Sequence, residues 1–217
     1  MTEEQFRAMA QSIIDGDPER SAELAQGAVD AGINPLEAIN AGFVEGVNQV
    51  GAAFSAGEAF IPQLVMAGEA MKAAIRILEP ELERQGQKRA ILGKVVLATV
   101  EGDIHDIGKT LVGTMMAASG FEVYDLGADV PIGDIVDKAL EVEADIVGMS
   151  ALLTTTMLKQ KAVIAALKEA GIRDKVVVMV GGSPVTRRWQ EEIGADGFSE
   201  DASGAVLAAK ALLGKLS

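Results

Sequence analysis

Residues 94–110 read KVVLATVEGDIHDIGKT. The stretch from Lys94 to Val100 is short, aliphatic and β-branched, without polar alternation, which suits a strand buried on both faces. DIGKTLVGTMMAASG, residues 106–120, then has helical character and stops at Gly120. Between the two lies a polar loop that holds His105, the only histidine of the chain, with Asp103 and Asp106 close by.

Towards the C-terminus the same unit recurs. FEVYDLG (121–127) precedes PIGDIVDKALEVEA (131–144), and DIVGMS (145–150) precedes TTTMLKQKAVIAALKEAG (154–171). KVVVMVGG (175–182) leads to a helix from Thr186 to Ile193, and DGFSE (196–200) to ASGAVLAAKALLGKL (202–216). This alternation predicts an α/β domain with a flavodoxin-like, Rossmann-like doubly wound sheet of five parallel strands, order 2-1-3-4-5. Right-handed crossovers place the loops after the strands along one edge, with the switch point between strands one and three. Three unusual loops should therefore converge: the one holding His105, Ser150 to Thr156, and Gly181-Gly182.

Towards the N-terminus there are helix signals and no strand signals. In DGDPERSAELAQGAVDAG (15–32) Asp17 is the expected N-cap, Pro18 the first helical residue and Gly32 the stop. Asn34 and Pro35 repeat the device ahead of a helix expected through residue 57. A further helix is expected from Phe60 to about Gln85, with Phe60, Leu64, Ala67, Met71, Ile75 and Leu78 on one face. With the opening segment this predicts an N-terminal four-helix bundle over 1–88, a polar linker around 83–93 and the α/β domain over 89–217.

Composition narrows the function. The net charge of −13 over 217 residues disfavours nucleic acid and anionic membrane surfaces. Zero Cys excludes disulfides, thiolate metal sites and cysteine nucleophiles. The acidic, amphipathic start lacks signal-peptide character, and no apolar run is long enough for a bilayer, so a cytoplasmic protein is expected. One histidine without cysteine cannot assemble a zinc site. The loop is not a phosphate-binding one, since position 103 is Asp where that motif requires Gly. An Asp-rich magnesium site at Asp103 and Asp106 would leave His105, the Ser/Thr run and the double glycine unexplained. A carboxylate that accepts a proton from one imidazole nitrogen leaves the other nitrogen free as a ligand or base.

Asp103, His105 and Gly108 match the D-x-H-x-x-G signature of cobalamin-binding domains. Ser150 and Leu152 match their S-x-L motif, and Gly181-Gly182 their double glycine. Residues 57–80 resemble the cap helix of methionine synthase and of methyltransferase-associated corrinoid proteins. The chain thus resembles that family over nearly its whole length.

The resemblance implies cobalamin as cofactor, bound base-off with His105 as axial ligand to cobalt and cycling through methylcobalamin, cob(I)alamin and cob(II)alamin. Asp103 and Thr156 would complete a relay, with Thr156 standing where methionine synthase has serine. Asp103, Ile104, His105, Asp106, Ile107, Gly108, Ser150, Leu152, Thr154, Gly181 and Gly182 would contact the cofactor. Small residues, Gly113 among them, would keep a slot open for the nucleotide tail. Phe60, Leu64 and Met71 of the bundle would shield the upper face.

The implied function is that of a methyl carrier, not an enzyme alone. Its implied partners are a substrate:corrinoid methyltransferase, a corrinoid:tetrahydrofolate or coenzyme M methyltransferase and a reductive activase. The alternatives are an adenosylcobalamin-dependent mutase subunit and a cobalamin storage or sensor protein.

Overall fold

A computed structural model of the protein describes residues 3–86 and 91–214. Met1 and Thr2, the heart of the expected linker at 87–90, and the end of the last expected helix at Lys215 and Leu216 lie outside the described residues. The chain divides into two compact units, Met1–Ala90 with Ala117–Ser119, and Ile91–Met116 with Gly120–Ser217.

The first unit is helical. Its elements are α1 (Glu3–Ile14), α2 (Pro18–Asp30), α3 (Pro35–Glu37), a π-helical turn (Ala38–Phe43), α4 (Val44–Ser55) and α5 (Ile61–Arg84). The expected caps are present: Asp17 Oδ1 accepts from the Arg20 amide at 2.9 Å and Asn34 Oδ1 from the Leu36 amide at 2.9 Å. At the start of α5, Gln63 Oε1 reaches back to accept from the Phe60 amide at 2.7 Å. The single helix expected over 34–57 is interrupted, because the Val44 amide bonds Ile39 O, five residues back. The wider turn carries Ala38, Ile39, Gly42 and Phe43 inward together. Apolar steps of three and four residues do not reveal such a one-residue insertion. α1 crosses α4 closely at Gly46, where a Cβ would lie 2.4 Å from Ala10 O and 2.7 Å from Ile13 Cβ. A larger residue there would force the two helices apart.

The second unit is a parallel sheet of order β2-β1-β3-β4-β5, as the alternation predicts. Its strands are β1 (Lys94–Thr99), β2 (Glu122–Asp125), β3 (Ile146–Ser150), β4 (Val177–Gly181) and β5 (Gly197–Phe198). The helices are α6 (Ile107–Ala118), α7 (Ile132–Glu141), α8 (Thr154–Glu169), α9 (Arg187–Ile193) and α10 (Ala202–Leu212). Val96, Ala98, Val147 and Met149 pack on one face with Ile135 and Val136 of α7, Val163, Ile164 and Leu167 of α8, and Trp189 and Ile193 of α9. Leu97 points to the other face. There α6 comes so near that a Cβ on Gly113 would sit 3.1 Å from Leu97 Cδ1. Gly113 therefore brings the helix down onto the sheet and lines no open slot. The register aligns Thr99 with Ser150 and Ser150 with Gly181, which brings the three loops to the same edge.

Candidate functional site

The loop after β1 is fixed by its backbone before any side chain is considered. The Asp103 amide bonds Val100 O at 3.1 Å, and the Asp129 amide bonds Asp103 O at 2.8 Å. The Asp129 carboxylate accepts from the Gly102 amide at 2.7 Å, and Thr99 Oγ1 donates to His105 O at 3.1 Å. On the flank, Lys159 Nζ of α8 pairs with Glu101 at 2.6 Å. Asp103 and His105 thus sit on a tied-down loop.

Asp103 is 0% exposed. Its Oδ1 lies 2.8 Å from His105 Nδ1 and accepts from the His105 amide at 3.1 Å. Its Oδ2 accepts from Thr156 Oγ1 at 2.6 Å, from the Leu152 amide at 2.7 Å and from the Leu153 amide at 3.3 Å. Burial alone would raise this carboxyl's pKa. Hydrogen bonds from Thr156, Leu152 and His105 outweigh it and hold the group well below the ordinary carboxylate range. An ionised Asp103 only accepts, so His105 Nδ1 carries a proton towards it and Nε2 is the ring nitrogen left for another partner.

The imidazole is 47% exposed, and its neighbours on the loop are unusual. Ile104 is 76% and Ile107 72% exposed, and Leu152 and Leu153 are also exposed. Four exposed aliphatic side chains on the loops that meet at His105 suit a large ligand with an apolar face, since burying each contributes roughly 1.5–3 kcal/mol. Among the described residues no group of three or more His, Asp or Glu converges as a metal cage.

The double glycine divides into two roles. Gly182 has φ of 115°, and a Cβ there would lie 1.9 Å from Ala151 O, so only glycine fits. A Cβ on Gly181 would meet nothing nearer than Ser199 O at 3.9 Å, and one on Gly108 nothing within 4 Å. Both leave open room beside the backbone.

The structure therefore brings Asp103, His105, Thr156 and the Leu152 amide into one bonded cluster, with Ile104 and Ile107 beside it. Ser150 lies half-buried at the end of β3, Asp106 just before α6, and Thr154 exposed at the start of α8. In the first unit Phe60 is 68% exposed, whereas Leu64 and Met71 are buried. The exposed apolar residues near the start of α5 are Phe60, Ile61, Val65 and Met66. Sequence reasoning missed the Leu152 and Leu153 amides, for which no side chain gives a signal, and Asp129, an ordinary loop aspartate by sequence. It also missed the ion pair of buried Lys109 with the exposed Asp125 carboxylate, and a buried Gln160–Trp189 pair.

The family described as "B12 binding domain" matches residues 93–207, and a second family of the same description matches residues 5–79. A corrinoid protein of Desulfitobacterium hafniense is 50% identical over 208 residues, 95% of this chain and 96% of that one. The trimethylamine corrinoid protein of Methanosarcina barkeri is 46% identical over 211 residues, 97% of each chain. Among solved structures, a chain of the methanol:cobalamin methyltransferase complex of M. barkeri is 30% identical with a TM-score of 0.87. That match covers 100% of this chain and 82% of that one.

Proposed function

The chain belongs to the B12-binding corrinoid protein family, and from that premise we propose that it carries methyl groups on a cobalamin held from below by His105. The observation that supports this most is the Asp103–His105 pair: a buried carboxylate fixes Nδ1 and leaves Nε2 free on an exposed edge. When bound, cobalamin supplies a cobalt centre able to accept and release a methyl group. The cofactor would bring its own macrocycle donors, so a single imidazole, that of His105, would suffice on the protein side.

Each residue then has a task. Asp103 keeps the proton on Nδ1 and the ring at a fixed angle, and Thr156 and the Leu152 amide keep the carboxylate ionised and still. Ile104, Ile107, Leu152 and Leu153 offer the apolar floor for the ring. The space beside Gly181 and Gly108 would admit the nucleotide tail. Ser150, Asp106 and Thr154 supply polar groups at the rim. Phe60, Leu64 and Met71 are the shielding residues the resemblance implies; of these Phe60 is exposed, beside Ile61, Val65 and Met66, and Leu64 and Met71 are buried in the bundle.

The bundle, residues 1–88, serves as cap and 89–217 as the cobalamin domain. The protein is the corrinoid subunit of a multi-component system rather than an enzyme alone. It meets a substrate:corrinoid methyltransferase, an acceptor methyltransferase serving tetrahydrofolate or coenzyme M, and a reductive activase. The donor is selected by the first partner. No described helix is long and apolar enough to cross a membrane, and a cytoplasmic location fits these partners.

The test is direct. Purified protein is soaked with hydroxocobalamin and desalted, beside its His105→Ala variant. Wild type should stay coloured with a pH-dependent histidine-on spectrum, and the variant should lose retention or that spectrum. A colourless wild type, or identical spectra at every pH, would overturn the reading.

A further inference from the structure

Gln160 is 0% exposed in the middle of α8. A primary amide buried there is costly unless it is bonded, and every polar atom of it is. Nε2 donates to Met149 O at 3.2 Å and to Gly181 O at 3.2 Å, while Oε1 accepts from Trp189 Nε1 at 2.9 Å. An indole N–H can only donate, so Trp189, the sole tryptophan of the chain, fixes which way the amide points. Both amide hydrogens are thereby committed to strand carbonyls, one on β3 and one on the last residue of β4.

Those carbonyls lie where geometry is tightest. Gly181 O also accepts from the Ala151 amide at 3.2 Å, and the next residue, Gly182, passes Ala151 too closely for any Cβ. A shift of Gly181 O therefore shifts the whole turn. α8 carries Thr156 on the same face one turn before Gln160, and Thr156 holds Asp103. One helix thus presents one side chain to the imidazole relay and the next to the glycine turn.

We propose that Gln160 is a positioning residue for the nucleotide-tail slot: it clamps the ends of β3 and β4 so that the Gly181–Gly182 turn keeps the path the tail follows. Trp189 acts through it by orienting the amide. Gln160 touches no cofactor atom itself, and the proposal rests on the corrinoid-carrier reading.

Cobinamide separates this role from simple bracing of the core, because it keeps the corrin ring and cobalt but lacks the nucleotide tail. Hydroxocobalamin and aquocobinamide are titrated spectroscopically into wild type, Gln160→Met and Trp189→Phe, with a thermal melt of each. Gln160→Met should weaken hydroxocobalamin about tenfold while cobinamide stays within about twofold. Trp189→Phe should shift the same ratio in the same direction by less, and it carries the test if Gln160→Met does not fold. An equal loss for both corrinoids, or no loss for either, overturns the proposal. A wild type that does not hold hydroxocobalamin at all contradicts the carrier reading instead.

Discussion

The two edges of the same sheet use carboxylates differently, exposed at one edge and buried at the other. At the edge where strands begin, Asp145 Oδ2 accepts from the Lys94 amide at 2.7 Å and Asp196 Oδ2 from the Val178 amide at 2.7 Å. Arg173 completes that corner, donating to Gly194 O at 2.6 Å, to Val176 O at 3.2 Å and to Asp196 Oδ1 at 2.9 Å. Every such bond ends on backbone or on another side chain of the same corner, so the arrangement ties off strand starts. At the edge where strands end, Asp103 gathers five donors and gives one oxygen to His105, whose imidazole stays half exposed. Glycine there leaves room beside the backbone at Gly181 and Gly108. One edge spends its carboxylates on its own backbone and its own arginine, and the other leaves an imidazole exposed.

The contrast can be strained hardest at Gly182. Gly182→Ala must find a new backbone path past Ala151 O and a left-handed φ at once, and should cost about 3 kcal/mol or more. Urea denaturation checks this. A loss under about 1 kcal/mol would show that the turn is not tight.

Asp103→Asn comes next. Replacing an acceptor that takes five donors through two oxygens should cost about 2–3 kcal/mol and loosen cobalamin. Its pH dependence has a definite sign. The folded carboxyl is held below its ordinary value, so the stability it contributes is fully present above about pH 4, where the unfolded group is ionised. That stability falls as pH drops through the lower folded value. Wild type should lose stability on the acid side of pH 4, and Asp103→Asn should lack that part of the slope. Parallel acid profiles would contradict the ionised relay.

Asp196→Asn, at the edge where strands begin, is the smallest change. It weakens a partly exposed ion pair with Arg173 and should cost about 1 kcal/mol, with hydroxocobalamin retention unchanged. Retention that falls as far as in Asp103→Asn would erase the distinction between the edges.

Much of this was legible before any coordinates. The β-branched run at 94–100 and its repeats fix the strand order, because burial on both faces and right-handed crossovers leave few alternatives. The Asp-x-His spacing and Thr156 foreshadow the relay. What was hidden follows from how signals arise. The Leu152 amide is backbone, and backbone donors have no residue type. Gln160 is a polar residue between Lys159 and Lys161, and only the tertiary position of Trp189 and two strand carbonyls makes its burial tolerable. The π-helical turn at Ala38–Phe43 inserts one residue without changing which residues are apolar. In α5, periodicity identifies a stripe from Phe60 to Leu78 but cannot say that Leu64 and Met71 are enclosed while Val65 and Met66 remain open.

The claim that everything else depends on is ligation by the chain's single histidine, and that singularity makes it measurable. Protein grown on 15N-histidine is loaded with cob(II)alamin and its electron paramagnetic resonance spectrum recorded beside unlabelled protein. The account predicts that the nitrogen superhyperfine triplet becomes a doublet on labelling, because only His105 carries the label. A triplet that persists would place the cofactor's own base, not His105, beneath the cobalt and would contradict the account.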